Sequence, residues 1–352
     1  MAKWKGVNTV FGFSKSTTWG TPVAVATGEK ILILSEGLTP DAQFIPNMSL
    51  SGSAFQGPGD KGNEFHSGDI PMEVDYDTVH RTLALAMGTA GTPTDLGDCY
   101  EHTLRFVDDM EGTHATAVVA HAGLFVREYT TCKFGNFSLE CTNGNRAQLT
   151  MGLIPHGLNI NTSSGTNELT GIPDIDLPAD AGITFANFNH LEVAENDADS
   201  ADFTPVTDDL YVSSVSLNVN QNFPTDDVTT QYAPFIDEPI RDGFAEVTGT
   251  LNFSKLTDET QIALMLSKNR RKMKWTFTGP AAHSTQMYSL VLYFSNVQYE
   301  SGSYNAGGPQ RVPQTLNFRA HLVPSGTPHT GFSYADALYI EVINRQSADP
   351  LA

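Results

Sequence analysis

Cysteine is scarce: Cys99, Cys132 and Cys141 are the only three in 352 residues. An odd number with no Cys-x-x-Cys spacing encodes neither a zinc ribbon nor a dense disulfide framework, and suits folding in a reducing compartment. Nowhere do about eighteen apolar residues run together, so no membrane-spanning helix is predicted. The N-terminal "MAKWKGVNTVFGFSKSTTWGTP" lacks the apolar centre of a signal peptide. A soluble protein made in a cytoplasm is expected, with no membrane partner. Basic residues are also short: 20 Lys and Arg face 40 Asp and Glu, a formal net charge of −20. Such a surface repels phosphates, which argues against groove reading or tight DNA binding but not against DNA passing nearby.

Catalytic signatures are missing too. There is no Gly-x-Ser-x-Gly, His-Glu-x-x-His, phosphate-binding Gly-Lys-[Ser/Thr] loop or dinucleotide fingerprint. His114 and His121 stand seven apart and would face opposite sides of a strand, a poor arrangement for one metal. Asp197, Asp199 and Asp208 fall at calcium-loop spacing, but Asp202 holds the place where such a loop needs glycine. Only Trp4, Trp19 and Trp275 are present, too scattered for a sugar platform. No catalytic residue, cofactor or metal is expected.

What is present is extended structure with many turns. Thirty glycines, nineteen prolines and abundant Thr, Val, Phe and Tyr suit a mainly β protein. In "MEVDYDTVHRTLALAMG", 72–88, apolar residues alternate over Ile70, Met72, Val74 and Tyr76. The stretch then becomes a short helix, capped by Asp77 or Thr78 and ended by Gly88. Without a gap, "LNFSKLTDETQIALMLS", 251–267, repeats the pattern 179 positions later, with Met72 on Leu251 and Leu85 on Leu264. Thr257 is its expected cap, with Asp258 and Glu259 in the first turn, where the helix dipole favours carboxylates.

Weaker likenesses flank that match: 49–53 resembles 216–220, and 134–140 resembles 294–300. Both halves then read strand, loop, strand, short helix, strand, long strand, returning strand. The expected fold is mainly β: two tandem β-sandwich or barrel domains, each with one short flanking α-helix. The first spans 1–160 with an N-terminal arm. The polar, Gly/Pro-punctuated 161–182 is the linker. The second spans 183–352, with an inserted loop at 222–243 and a C-terminal arm that frays after its last strand.

"STTWGTP" (16–22), "YDTVHRTLALAMG" (76–88) and "PIRDGFAEVTGTLNFSKLTDETQIALML" (239–266) resemble the tail tube proteins of long-tailed bacteriophages, which share a fold with type VI secretion tube proteins. The resemblance implies tube-type domains and a structural virion protein, not an enzyme. It implies rings that stack into the tail tube and form the conduit for DNA ejection. If each half is one unit, three chains close a pseudo-hexameric ring; if the repeat is chance, six copies of one elaborated unit would. The implied partners are the chain itself, the tape measure protein, the tail terminator and distal tail proteins, and double-stranded DNA that passes without sequence-specific binding.

"KNRRKMKW", 268–275, is the one dense basic run. Its cations either offset the dipole of the preceding helix or meet an acidic patch of another copy. The expected subunit interface comprises Asp226, Asp227, Arg241, Asp242, Lys268, Arg270, Arg271, Lys272 and Lys274. The alternative reading is a β-sandwich virion protein that does not polymerise: a baseplate part, adhesin or head decoration.

Overall fold

Alternating sequence does most of the building. A computed structural model describes residues 6–25, 27–49, 55–121, 124–162, 165–179, 181–199, 202–225, 234–256, 259–306, 308–349 and 351. Among these, nineteen strands and two α-helices are found, so the fold is mainly β as expected.

The first half contains β1 (Thr9–Ser16), β2 (Lys30–Ile31), β3 (Ala42–Ile45), β4 (Asp60–Glu64), β5 (Gly68–Glu73), α1 (Val79–Met87), β6 (Gly88–Ala90), β7 (Thr94–Asp95), β8 (Tyr100–Phe106), β9 (His114–His121), β10 (Phe125–Thr142), β11 (Gln148–Pro155) and β12 (Leu158–Asn161). The second contains β13 (Leu191–Asp197), β14 (Ser214–Asn220), β15 (Glu246–Phe253), α2 (Thr260–Ser267), β16 (Arg271–His283), β17 (Gln286–Ser303), β18 (Gln314–His321) and β19 (Tyr339–Asn344). All the strands except the separate β3–β4 hairpin belong to one connected, branched hydrogen-bonded circuit.

Two strands of 18 residues, β10 and β17, organise this circuit. On one side of β10 lie β11 and β12 end to end; on the other lie β9 and then β14. β17 repeats this with β18 and β19 on one side and β16 on the other. The edge pairings also recur: β1 on β9 matches β13 on β16, and β5 on β11 matches β15 on β18. Met72 pairs with Leu149, and its counterpart Leu251 with Leu316, all four buried.

The register of the long strands departs from the sequence likeness. Phe137 and Tyr299 hold equivalent places, since they pair with Met151 and Phe318, whereas aligning 134–140 on 294–300 would match Phe137 with Val297. The true offset is two to three residues along the whole pairing, and the bulges at Phe134/Asn136 and Tyr299/Ser301, one on each strand, change it by only one. Most of 49–53 lies outside the described residues. The chain that runs antiparallel beside β5, as β14 runs beside β15, is instead 34–39, through Leu34, Gly37 and Thr39 N–H bonds to Pro71, Asp69 and Ser67 carbonyls at 2.8, 2.9 and 3.0 Å. The excursions that follow, 40–67 and 221–245, therefore correspond. One asymmetry was not foreseen: the first half inserts β6–β8 between helix and next strand, and β8 extends the second half's sheet by pairing with β19.

The main hydrophobic cluster draws on both halves, for example Met72, Leu139, Leu217, Trp275, Phe294 and Phe318. α1 is buried in it along nearly its whole length, and Gly88 ends the helix at φ 85° with its N–H on the Ala84 carbonyl. A Cβ there would collide with Met110 and Val107, so the left-handed glycine is required twice over. Thr78 occupies the N-cap position without capping, because its hydroxyl donates to Asp75 Oδ2 at 3.1 Å. At α2, Thr257 and Asp258 lie outside the described residues, and Glu259 stands at the N-cap rather than in the first turn.

The presumed linker and tail are fastened. Asn167 donates to the Glu128 carboxylate, and Asp77 accepts the N–H of Gly182, the N–H of Arg345 and the hydroxyl of Tyr288. The residues after β19 thus do not fray at once: Arg345 and Gln346 are pinned beside α1.

Candidate functional site

Seven strand segments in the order β5, β11, the second part of β10, β14, β15, β18 and the second part of β17 form one continuous antiparallel sheet across both halves. Because side chains alternate, its two faces separate cleanly. One cross-strand row runs Met72, Leu149, Leu139, Leu217, Gly249, Phe318, Tyr299, all turned to the core. Gly249 is the gap that seats the Phe318 ring, which a Cβ would strike.

The opposite face is polar. Its rows run Glu73, Gln148, Glu140, Ser216, Thr250, Asn317, Ser301 and Pro71, Thr150, Ser138, Asn218, Thr248, Arg319, Gln298. Hydroxyls and amides bond across strands: Thr250 to Asn317 at 2.9 Å, Asn317 to Ser301 at 2.9 Å and Thr315 to Asn252 at 2.8 Å. The charges on this face are Asp69, Glu73, Glu140, Glu246 and Glu300 against Arg319, with Arg146 pairing Glu73 at the margin. Arg319 is clamped: Nε donates to Glu300 at 2.7 Å and Nη1 to Glu246 at 2.9 Å, contacts that hold its pKa above the ordinary value. A face of small polar groups, excess carboxylate and a neutralised guanidinium has little with which to grip a phosphate.

The sheet ends in two edges. Among the described residues, Gln298–Ser303 of β17 pair with β18 alone. Lys268, the C-cap of α2 at φ 55°, lays its ammonium on the Tyr299 and Glu300 carbonyls, each at 2.8 Å. Its charge therefore serves an open edge rather than the helix dipole; lysine is a common edge guard. α2 has no buried residue although its sequence is TQIALMLS, and Leu266 is 74% exposed.

The rest of the basic run diverges. Arg270 is exposed. Arg271 reaches Glu195 at 2.6 Å and Asp197 at 3.5 Å. Lys272 is buried and donates to the Thr330 carbonyl at 2.9 Å, while its ammonium and that of Lys274 each lie 5.2 Å from the Phe203 ring centre. Burial pulls the Lys272 pKa down.

In the 222–243 loop, Asp226 and Asp227 lie outside the described residues. Its second limb packs against the first half. Ile236 is buried, its carbonyl accepts the Trp19 indole N–H at 3.1 Å, and Glu238 pairs with Lys133, whose side chain is fully buried. Arg241 donates to Gln221 at 2.5 Å and to the Val107 carbonyl at 3.3 Å, and Asp242 is exposed. This limb is an anchor, not a free arm. Exposed apolar side chains cluster on both excursions: Phe44, Met48 and Phe55 on the first, Ile240 and Phe244 on the second.

One constellation has catalytic residue types. Ser16 Oγ lies 2.6 Å from His114 Nδ1, and His114 Nε2 lies 4.0 Å from Glu238. Ser16 and His114 are fully buried and Ser16 also faces the His114 carbonyl, so the group is a packing lock between β1, β9 and the anchored limb. Among the described residues no three His, Cys, Asp or Glu side chains are placed to hold a metal, and no helix is long and apolar enough to cross a membrane.

Comparison with known proteins bears on this arrangement. The family described as phage tail tube protein matches residues 6–320. Among solved structures, the SPP1 tail tube is similar at 12% identity over 38% of this chain and 75% of that one; the TM-score of 0.27 is too low to bear on the fold. No curated protein matches.

Proposed function

We propose that this chain, which belongs to the phage tail tube protein family, polymerises as stacked rings of three copies whose seven-stranded sheets line the conduit for DNA ejection. The observation that supports this most is the sheet itself: it crosses both halves unbroken, buries one face and wets the other. A one-sided sheet with open edges is stabilised by joining copies end to end, which removes the edges.

Each half then supplies four strand positions: 34–39, β5, β11 and β10 in the first, β14, β15, β18 and β17 in the second. We read the chain as one unit used twice, 1–160 and 183–352, joined through 161–182. Three copies give roughly 24 strands, which at ~4.8 Å spacing make a circumference of ~115 Å and a width of ~37 Å before tilt. Duplex DNA passes such a bore. The wall is the polar face, where carboxylates leave no phosphate contacts to break during translocation.

The excursions 40–67 and 221–245, with the chain's two terminal arms, are assigned to the contacts between rings, which are heterologous and so propagate. Exposed Arg270 and Asp242 are assigned to contacts between copies together with Asp226 and Asp227; Arg241, Lys268, Arg271, Lys272 and Lys274 shape the same surface from their in-chain positions. The tape measure protein would fill the bore before DNA does, and terminator and distal tail proteins would close the ends. Negative-stain microscopy and native mass spectrometry of the purified protein test the reading. Three-chain rings or tubules are expected; a chain that stays monomeric at every concentration overturns it.

A further inference from the structure

We infer that the joint between neighbouring copies repeats the joint inside the chain: the open edge Gln298–Ser303 of β17 takes residues 33–39 of a second copy as an antiparallel strand. This rests on the ring reading and names the segments that meet.

The internal joint is the template. β14 of the second half lies antiparallel along Asn136–Thr142 of β10, end to end with β9. Every other pairing made by β10 has its counterpart on β17, but the place matching β14 is empty among the described residues. The strand that would fill it is the one that stands beside β5 as β14 stands beside β15, and that is 33–39.

Register follows from the same pairings. Leu139 and Gly302 face Leu149 and Leu316, so Cys141 matches Tyr304, two residues beyond. Val215 pairs with Leu251; the Leu34 N–H on the Pro71 carbonyl sets Leu34 opposite Pro71 and so brings Ile33 level with Met72, the counterpart of Leu251. The internal pair Cys141–Val215 therefore predicts Tyr304–Ile33 between copies. Cys141 and Val215 are each 1% exposed, whereas Tyr304 is 42% exposed and Ile33 only half-buried. These are two apolar side chains left partly in water at the ends of the two edges to be joined.

Two further features agree. α1 packs on β6, β8 and β10 of its own half and also meets the second half, where Gln221 donates to the Ala86 carbonyl at 2.7 Å and Asn344 of β19 meets His80 at 3.0 Å. Its counterpart α2 has no buried residue in the single chain, and a neighbour docked in the same way would cover it. Both edges also carry a cation on their outward carbonyls: Lys268 on Tyr299 and Glu300, and Arg127 on Leu38 at 3.1 Å. Such caps keep a lone chain from pairing indiscriminately and are displaced by a matching strand.

Ile33→Cys and Tyr304→Cys variants, purified separately, mixed, assembled and oxidised, test the joint; the native Cys99, Cys132 and Cys141 are buried and do not compete. A disulfide-linked two-chain species is expected in the mixture and in neither variant alone. The double variant should give linked species that stop at three chains. Leu34→Cys with Ser303→Cys provides a second pair if Ile33→Cys folds poorly. Rings seen by microscopy in the same samples without linked chains from either pair would overturn this joint while leaving the tube reading intact. Absence of rings in the unaltered protein would remove both.

Discussion

Replacing Glu238 by alanine tests whether the limb after residue 233 is an anchor. The Lys133 side chain is fully buried, and besides Glu238 its ammonium has the Met110 carbonyl and the Phe223 ring at 5.7 Å. Burial already pulls the Lys133 pKa down, and the Glu238 carboxylate is what opposes that pull most. Breaking one side of a buried pair costs about 3–5 kcal/mol, because the remaining charge stays desolvated. Melting entropy of roughly 2.1 cal/mol/K per residue gives about 0.7 kcal/mol/K for a chain of this length, so the midpoint should fall by about 4–7 °C. Calorimetry on the unassembled chain reads this directly. Lys133→Met combined with Glu238→Gln should recover most of the loss, since an apolar replacement removes the stranded charge. Replacing 226–233 by a Gly/Ser segment of equal length should leave the midpoint unchanged while preventing long tubes. A Glu238→Ala midpoint within 1 °C of the parent would refute the anchoring argument.

Other consequences follow from particular contacts. Gly249→Ala drives a Cβ into the Phe318 ring and should cost about 1–3 kcal/mol by overpacking, read by thermal melting. Lys268→Gly relieves a left-handed backbone worth about 1 kcal/mol and uncaps the β17 edge, so light scattering should show faster assembly; slower assembly would count against the guard role. Glu246→Gln with Glu300→Gln frees Arg319 on the polar face, and assembled tubes should then retain DNA at low salt and release it as salt rises. The His80 and His102 rings lie 4.2 Å apart, and burial holds both below the ordinary histidine value. The unfolded chain then binds protons below about pH 6.5 that the folded chain refuses, so stability should fall as pH drops from there, and less so in His80→Gln. Asp75 has the opposite sign: its folded pKa of about 6 lies above the unfolded 3.8, so its cost is full above pH 6 and fades as pH falls toward 3.8.

The recurring strand–helix unit was legible because Met72 and Leu251 sit in long alternating segments whose period survives any loop change. The long strands' register was not, because it is set by their pairing with β11 and β18, which lies two to three residues away from the match of 134–140 with 294–300. The 49–53 likeness drew attention away from 34–39, a stretch whose Gly37 and Glu36 hide its strand character until β5 is placed beside it. The basic run read as a charge patch, yet strand geometry sends Arg271 to Glu195 and Lys272 inward, and of its cations Lys268 and Arg270 stay exposed. The polar face was missed although a signal existed: in "SVSLNVN" and "TLNFRAH" the outward positions are Ser, Asn, Thr, one Arg and one His, a pattern suited to a wet wall that binds nothing tightly. Arg319's clamp could not be read at all, since Glu246 and Glu300 are brought to it by two separate strand pairings.

Electron cryo-microscopy of tubules grown from the purified chain is the most direct measurement. The account predicts three chains per ring, with Glu140, Asn218, Thr248 and Asn317 facing the bore and Gln298–Ser303 paired with 33–39 of the next chain. A ring of six chains, or a bore lined by any surface other than that sheet face, would contradict it.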